Sequence, residues 1–118
     1  MKLVSILIPC YNEEDSLDSL YDRLRSVLSP IDYLEWEFIF VNDGSTDNTL
    51  KGIKKLSEFD ERIKYLDLSR NFGKEAAMLA GMDFANGDAL IIMDADLQHP
   101  PELIPELIKE WMDGYDDI

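Results

Sequence analysis

Short apolar runs alternate along this chain with longer stretches in which apolar positions recur every three or four residues. The runs at residues 3–8, 36–41, 63–68 and 89–93 have strand length and are apolar enough to be covered on both faces. Between the first two, Leu17, Leu20, Tyr21, Leu24, Val27 and Leu28 trace one face of a helix. Asn12 is the expected N-cap of that helix, with Glu13, Glu14 and Asp15 in a first turn whose dipole favours acids, and Ser29-Pro30 ends it. A second helix is expected after Ser45-Thr46-Asp47, and a third from about Gly73 to Ala85, stopped by Asn86-Gly87. Pro105 would clash with the preceding turn of a helix begun at Pro100. Pro100-Pro101 should therefore open a short turn, and the regular helix should begin near Ile104 or Pro105. Residues 116–118 read as a fifth strand cut short.

Repeated βα units of this kind predict an α/β fold, a doubly wound and mostly parallel sheet. Right-handed crossovers wound in a single direction would leave one face of the sheet bare, so the strand order must reverse. The order 3-2-1-4 sets the carboxyl ends of the first and fourth strands side by side, and ligands bind at such a reversal. The unusual residues gather at the strand ends, at 9–14, 42–47, 69–74 and 94–99. Loops in that position are where function concentrates.

A length of 118 residues suits one domain, spanning 1–118. The 25 acids against 11 bases leave a net charge of −14, which repels phosphate backbones and argues against nucleic acid as a partner. An acidic protein that holds an anionic ligand needs local positive charge, and a divalent cation supplies it compactly. Cys10 is the single cysteine, so it forms no internal disulfide and reads as a buried filler thiol in a reducing, cytoplasmic setting. The apolar run at the N-terminus is too short to span a bilayer and lacks a signal-peptide cleavage pattern, so no membrane segment is expected in this chain.

Asp94-Ala95-Asp96 follows the fourth strand directly, which lets a short turn aim two carboxylates outward. Adjacent acids repel, and hard oxygen ligands of this kind suit Mg2+ or Mn2+ bridging to phosphate oxygens. The competing reading is an N-cap plus a solvated acid. Residues 9–14 contain no glycine, which speaks against a dinucleotide fingerprint or a phosphate-cradling loop. Tyr11 there can stack on a nucleobase or pack beneath it. Asn42-Asp43-Gly44-Ser45-Thr46-Asp47 offers an acid able to accept hydrogen bonds from a base or a ribose, although a plain turn and helix cap accounts for Ser45 and Asp47. Arg70-Asn71-Phe72-Gly73-Lys74 places two cations around a glycine at a helix start, a natural place for anions. A surface ion pair competes for Lys74. His99, beside a Pro-Pro turn, reads as structural.

Taken together and in this order, the four elements resemble glycosyltransferase family 2. The run from Leu68-Ser69-Arg70-Asn71-Phe72-Gly73 through Asp94-Ala95-Asp96-Leu97-Gln98-His99-Pro100-Pro101 looks most like its polyprenyl-phosphate members, the dolichol-phosphate mannosyltransferases and bactoprenol glucosyltransferases. The resemblance implies a GT-A fold of which this chain is the nucleotide-sugar-binding part, truncated before the acceptor half. It implies that Pro9, Tyr11, Glu13, Val41 and Asp43, with Arg70, line the nucleoside site. It also implies that Asp94, Asp96 and Gln98 surround the metal and diphosphate, that Ala95 lies against the nucleotide, and that Asp94 and Asp96 are the catalytic acids. The implied reaction is an inverting transfer from a nucleoside-diphosphate sugar, with a lipid phosphate as acceptor, bound mainly by the missing C-terminal part, or else a sugar hydroxyl. The full-length protein would work at the cytoplasmic face of the membrane, and this fragment would turn over poorly alone. A response-regulator receiver needs an acid pair ending the first strand and an Asp ending the third, where this chain has Pro9-Cys10 and Ser69-Arg70. A haloacid-dehalogenase-type phosphatase carries its acid pair on its first strand, not after the fourth.

Overall fold

The computed structural model describes residues 1–95 and 100–114. Its sheet holds β1 (Lys2–Cys10), β2 (Leu34–Asp43), β3 (Ile63–Leu68) and β4 (Ala89–Ile92). All pairings are parallel and the order is β3-β2-β1-β4, the arrangement expected from the sequence. Steps from β1 to β2 to β3 run in one direction through α1 (Leu17–Leu28) and α2 (Thr49–Phe59), so right-handed crossovers put both helices on one face. The return step from β3 to β4 reverses direction and puts α3 (Lys74–Phe84) on the other face. A 3-10 turn at Pro101–Leu103 leads into α4 (Ile104–Met112), as the position of Pro105 requires, and α4 packs on the α1 face. The fifth strand expected at 116–118 lies outside the described residues.

Alternation along β1 and β2 sorts the core into two layers. Val4, Ile6, Ile8 and Cys10 join Trp36, Phe38 and Phe40 under α1, α2 and α4, whereas Leu7, Ile39 and Val41 meet Ala77 of α3. Both strands run longer than their apolar cores predict, because they stay in register from Lys2↔Leu34 to Cys10↔Asn42. Pro9 is tolerated inside β1 for a local reason. The Leu7 carbonyl accepts from the Met93 N–H on the β4 side, and β4 ends at Ile92, so the N–H that Pro9 lacks would point past the end of its neighbour.

Asn12 does not cap α1. It adopts φ 52, and the helix starts at Leu17 with Ser16 ahead of it, so Glu13, Glu14 and Asp15 belong to the preceding loop. Asparagine visits the left-handed region more readily than most residues, which lets the chain turn sharply there.

Glu37 is a buried acid, 2 % exposed, on the α3 face of β2. It accepts from the Ser5 hydroxyl at 2.6 Å, the Lys64 ammonium at 2.8 Å and the Asn86 N–H at 3.0 Å, tying the start of three strands to the α3–β4 turn. Burial alone would raise its carboxyl, but these donors outweigh it and hold the pKa at about 2 against an ordinary 4.5. The depressed folded value means that the stabilisation is complete above 4.5 and is lost as pH falls toward 2. Glu37→Leu should cost about 2–3 kcal/mol at neutral pH because it strands buried donors. Urea unfolding should show the gap from wild type closing as pH falls to 2; a gap of constant size at both pH values would refute the account.

Candidate functional site at the carboxyl ends of the strands

Two of the four loops singled out in the sequence, 42–47 and 69–74, meet through Asp43, the last residue of β2. It is 4 % exposed, and its two oxygens accept the Phe72 N–H at 2.8 Å and the Gly73 N–H at 3.1 Å. The carboxylate thus fixes the loop that enters α3. Gly44, the next residue, has φ +68 and touches the same loop from the side: a Cβ there would stand 2.2 Å from both the Arg70 carbonyl carbon and the Asn71 nitrogen. The two backbones pass closer than any side chain permits. Arg70 lays its guanidinium over the Phe72 ring, 5.0 Å from the centroid, with both residues exposed at the rim.

From the first turn of α3, Lys74 reaches across the end of β1 to Asp94, just beyond β4, with Nζ 2.5 Å from Oδ1. The Lys74 side chain is 58 % exposed and that of Asp94 15 %, so the pair opens to solvent on the lysine side. Ala95 is buried against the α1-face core. Asp96 and Gln98, the other implied metal ligands, and His99 lie outside the described residues. Among the described residues no three His, Cys, Asp or Glu side chains converge as a complete metal site.

The loop after β1 is stitched to the loop after β2. The Asn12 N–H donates to Ser45 Oγ, Asn12 Oδ1 accepts the Thr46 N–H at 2.8 Å, and the Glu13 N–H donates to Thr49 Oγ1 at 2.8 Å. Asp47 takes the Thr49 N–H and hydroxyl at the start of α2, whose N-cap position is Asn48. Ser45 sits in the turn and joins the two loops through Asn12, so the turn part of the plain explanation holds and Ser45 caps no helix. Tyr11 stands 45 % exposed on this rim and Pro9 is half-buried, whereas Val41 is wholly buried, backbone included. The Cys10 thiol is buried, and burial followed by the charge of Glu13 raises its pKa far above the ordinary value, which makes it an inert filler.

Sequence reasoning placed Lys74 near anions or acids, but which acid it meets depends on packing. It read Gly44 as a turn glycine without the close approach to residues 70 and 71. A hollow of about 670 Å3, lined by Arg25, Trp36, Phe38 and Arg62 among others, lies among the starts of β2 and β3, away from this cluster. Its position marks it as a groove under α1 and not as part of the strand-end site.

The chain is 54% identical over 115 residues to an uncharacterized glycosyltransferase of Synechocystis sp., covering 98% of this chain and 36% of that one. It is 42% identical over 116 residues to the undecaprenyl-phosphate 4-deoxy-4-formamido-L-arabinose transferase of Proteus mirabilis, covering 98% and 35%. A solved mannosyltransferase of Pyrobaculum calidifontis, in complex with GDP-Man and Mn2+, has the same fold, with a TM-score of 0.76 at 24% identity over 92% of this chain and 32% of that one. The chain therefore spans about a third of the length of the curated relatives it matches. Its parallel sheet, with the order reversing beside β1, is the GT-A arrangement. No helix among the described residues is long and apolar enough to cross a membrane. Residues 5–118 match the Glycosyl transferase family 2 profile, and a sheet of this order with its acids and cations gathered at the strand ends is what that match predicts: the chain belongs to glycosyltransferase family 2.

Proposed function

We propose that residues 1–118 form the nucleotide-sugar-binding part of a metal-dependent glycosyltransferase that moves a sugar from a nucleoside diphosphate to a polyprenyl phosphate with inversion. The observation behind this reading is the convergence of Asp43, the N-terminus of α3 and Asp94 at the carboxyl ends of β2, β1 and β4, where the strand order reverses. Asp94 fits a cation site, because its carboxylate is a hard oxygen donor and already holds a positive group at one oxygen. In this reading Asp94, Asp96 and Gln98 hold Mg2+ or Mn2+. When bound, the cation neutralises charge on the leaving diphosphate. Asp43 keeps the Arg70–Gly73 loop in place at the nucleoside edge, where Pro9, Tyr11 and Glu13 complete the wall with Val41 buried behind it, and Ala95 closes the floor.

Two relatives lend weight to the substrates: one is named for undecaprenyl phosphate, and a protein of the same fold was solved with GDP-Man and Mn2+. A lipid phosphate is already an anion near neutral pH, so its attack on the anomeric carbon needs no strong base. The acceptor would be held mainly by polypeptide beyond this chain, at the cytoplasmic face of a membrane, and this chain alone would bind donor weakly and turn over poorly.

A thermal-shift panel of UDP and GDP with and without Mn2+ tests the reading. Ligand at a hundred times its Kd should add about 2.7 kcal/mol to stability, and only when metal and nucleotide are present together. Equal shifts in Mn2+ and in EDTA would dismiss the metal, and no shift with any nucleoside diphosphate would dismiss the donor site.

A further inference from the structure

Lys74 has many carboxylates within the composition of this acidic chain, yet its ammonium sits on Asp94, one of the two acids read as cation ligands. That choice is built in from the backbone. Asp43 clasps the N–H groups of Phe72 and Gly73, and Gly73 turns the chain at φ 101, so the first residue of α3 is set facing the end of β4. From there a lysine stem spans to Asp94 Oδ1.

An ammonium and a divalent cation on one carboxylate repel each other, so a metal that takes Asp94 must move Lys74 aside. The lysine is suited to being moved: its stem is flexible, its side chain is more than half exposed, and solvent-exposed pairs are weak. A diphosphate arriving with the metal supplies oxygens a few ångströms away, which a displaced ammonium can hold as a point charge. We infer that Lys74 is a displaceable counter-ion of the donor site, neutralising Asp94 before the cation binds, yielding it to the cation, and passing its own charge to a phosphate oxygen of the nucleoside diphosphate. This rests on the reading of Asp94 as a cation ligand. Lys74 thereby couples the two ligands, since metal alone must displace it without compensation and metal with nucleotide gives it a new partner.

Titration of Mn2+ followed by the electron paramagnetic resonance signal of the free ion, with and without UDP or GDP, measures that coupling. Lys74→Met should bind Mn2+ alone about three- to fivefold more tightly than wild type, the scale of an exposed ion pair. The same variant should bind the nucleotide with Mn2+ about tenfold more weakly, having lost a charge-assisted bond to phosphate. Lys74→Arg should stay near wild type in both arms, and circular dichroism should show all three folded alike. Wild-type uptake of Mn2+ with nucleotide, matched by Lys74→Met in both arms, would overturn the role of the lysine and leave the cation reading standing. Wild type that takes up no Mn2+ in either arm, with Asp94→Asn no different, would overturn both.

Discussion

Gly44→Ala should lower the unfolding free energy by about 3 kcal/mol and the Tm by about 10 °C, the largest stability loss expected of any single methyl added at the strand ends. Two costs combine. At φ +68 an L side chain is strained, and the new Cβ would lie 2.2 Å from backbone atoms of residues 70 and 71, which cannot rotate away as a side chain could. The loops must separate, and separation breaks the hydrogen bonds from Phe72 and Gly73 to Asp43. Nucleotide binding should fall with stability, since the same loop carries Arg70 and leads into α3. Differential scanning calorimetry decides the matter: a variant within about 2 °C of wild type would mean that the two loops are not packed as described.

Asp94→Asn should separate binding from stability. Affinity for UDP or GDP in the presence of Mn2+ is expected to drop at least about a hundredfold, the scale of losing a charged partner in a desolvated cluster. Affinity in EDTA should hardly change. The Tm without ligand should also stay close to wild type, because the pair lost with Lys74 is exposed on the lysine side. Asp96→Ala is expected to behave in the same way. Isothermal titration that finds Mn2+-dependent binding intact in Asp94→Asn would remove this residue from the donor site.

Much of the fold was legible because periodicity and handedness are local or nearly local rules. The stripe from Leu17 to Leu28 became the buried face of α1, and Pro105 located the start of α4 to within a residue. Reversal of the sheet followed from crossover handedness alone, before any contact was known. Asn12 shows the opposite case. Its sequence context matches a helix cap, but the chain is drawn into a left-handed turn by bonds to Ser45 and Thr46, more than thirty residues away. Propensity for a cap and tolerance of positive φ belong to the same short amide side chain, and only the partner selects between them.

The residue types at the strand ends and the two-faced burial of β1 and β2 were determined by the sequence itself, because they depend on patterns of neighbours three to four or two positions apart, and the strand order followed from crossover handedness. The runs of β3 and β4, expected to be covered on both faces, are covered only in part, because the sheet order leaves them at its two edges. Which side chains meet was decided by tertiary structure. Asp43 with the α3 entry loop, Lys74 with Asp94 and Gly44 against residues 70 and 71 join segments 20 to 30 positions apart. Such pairings are fixed when the sheet closes its register and α3 crosses to the opposite face, so they exist only once the whole core has packed.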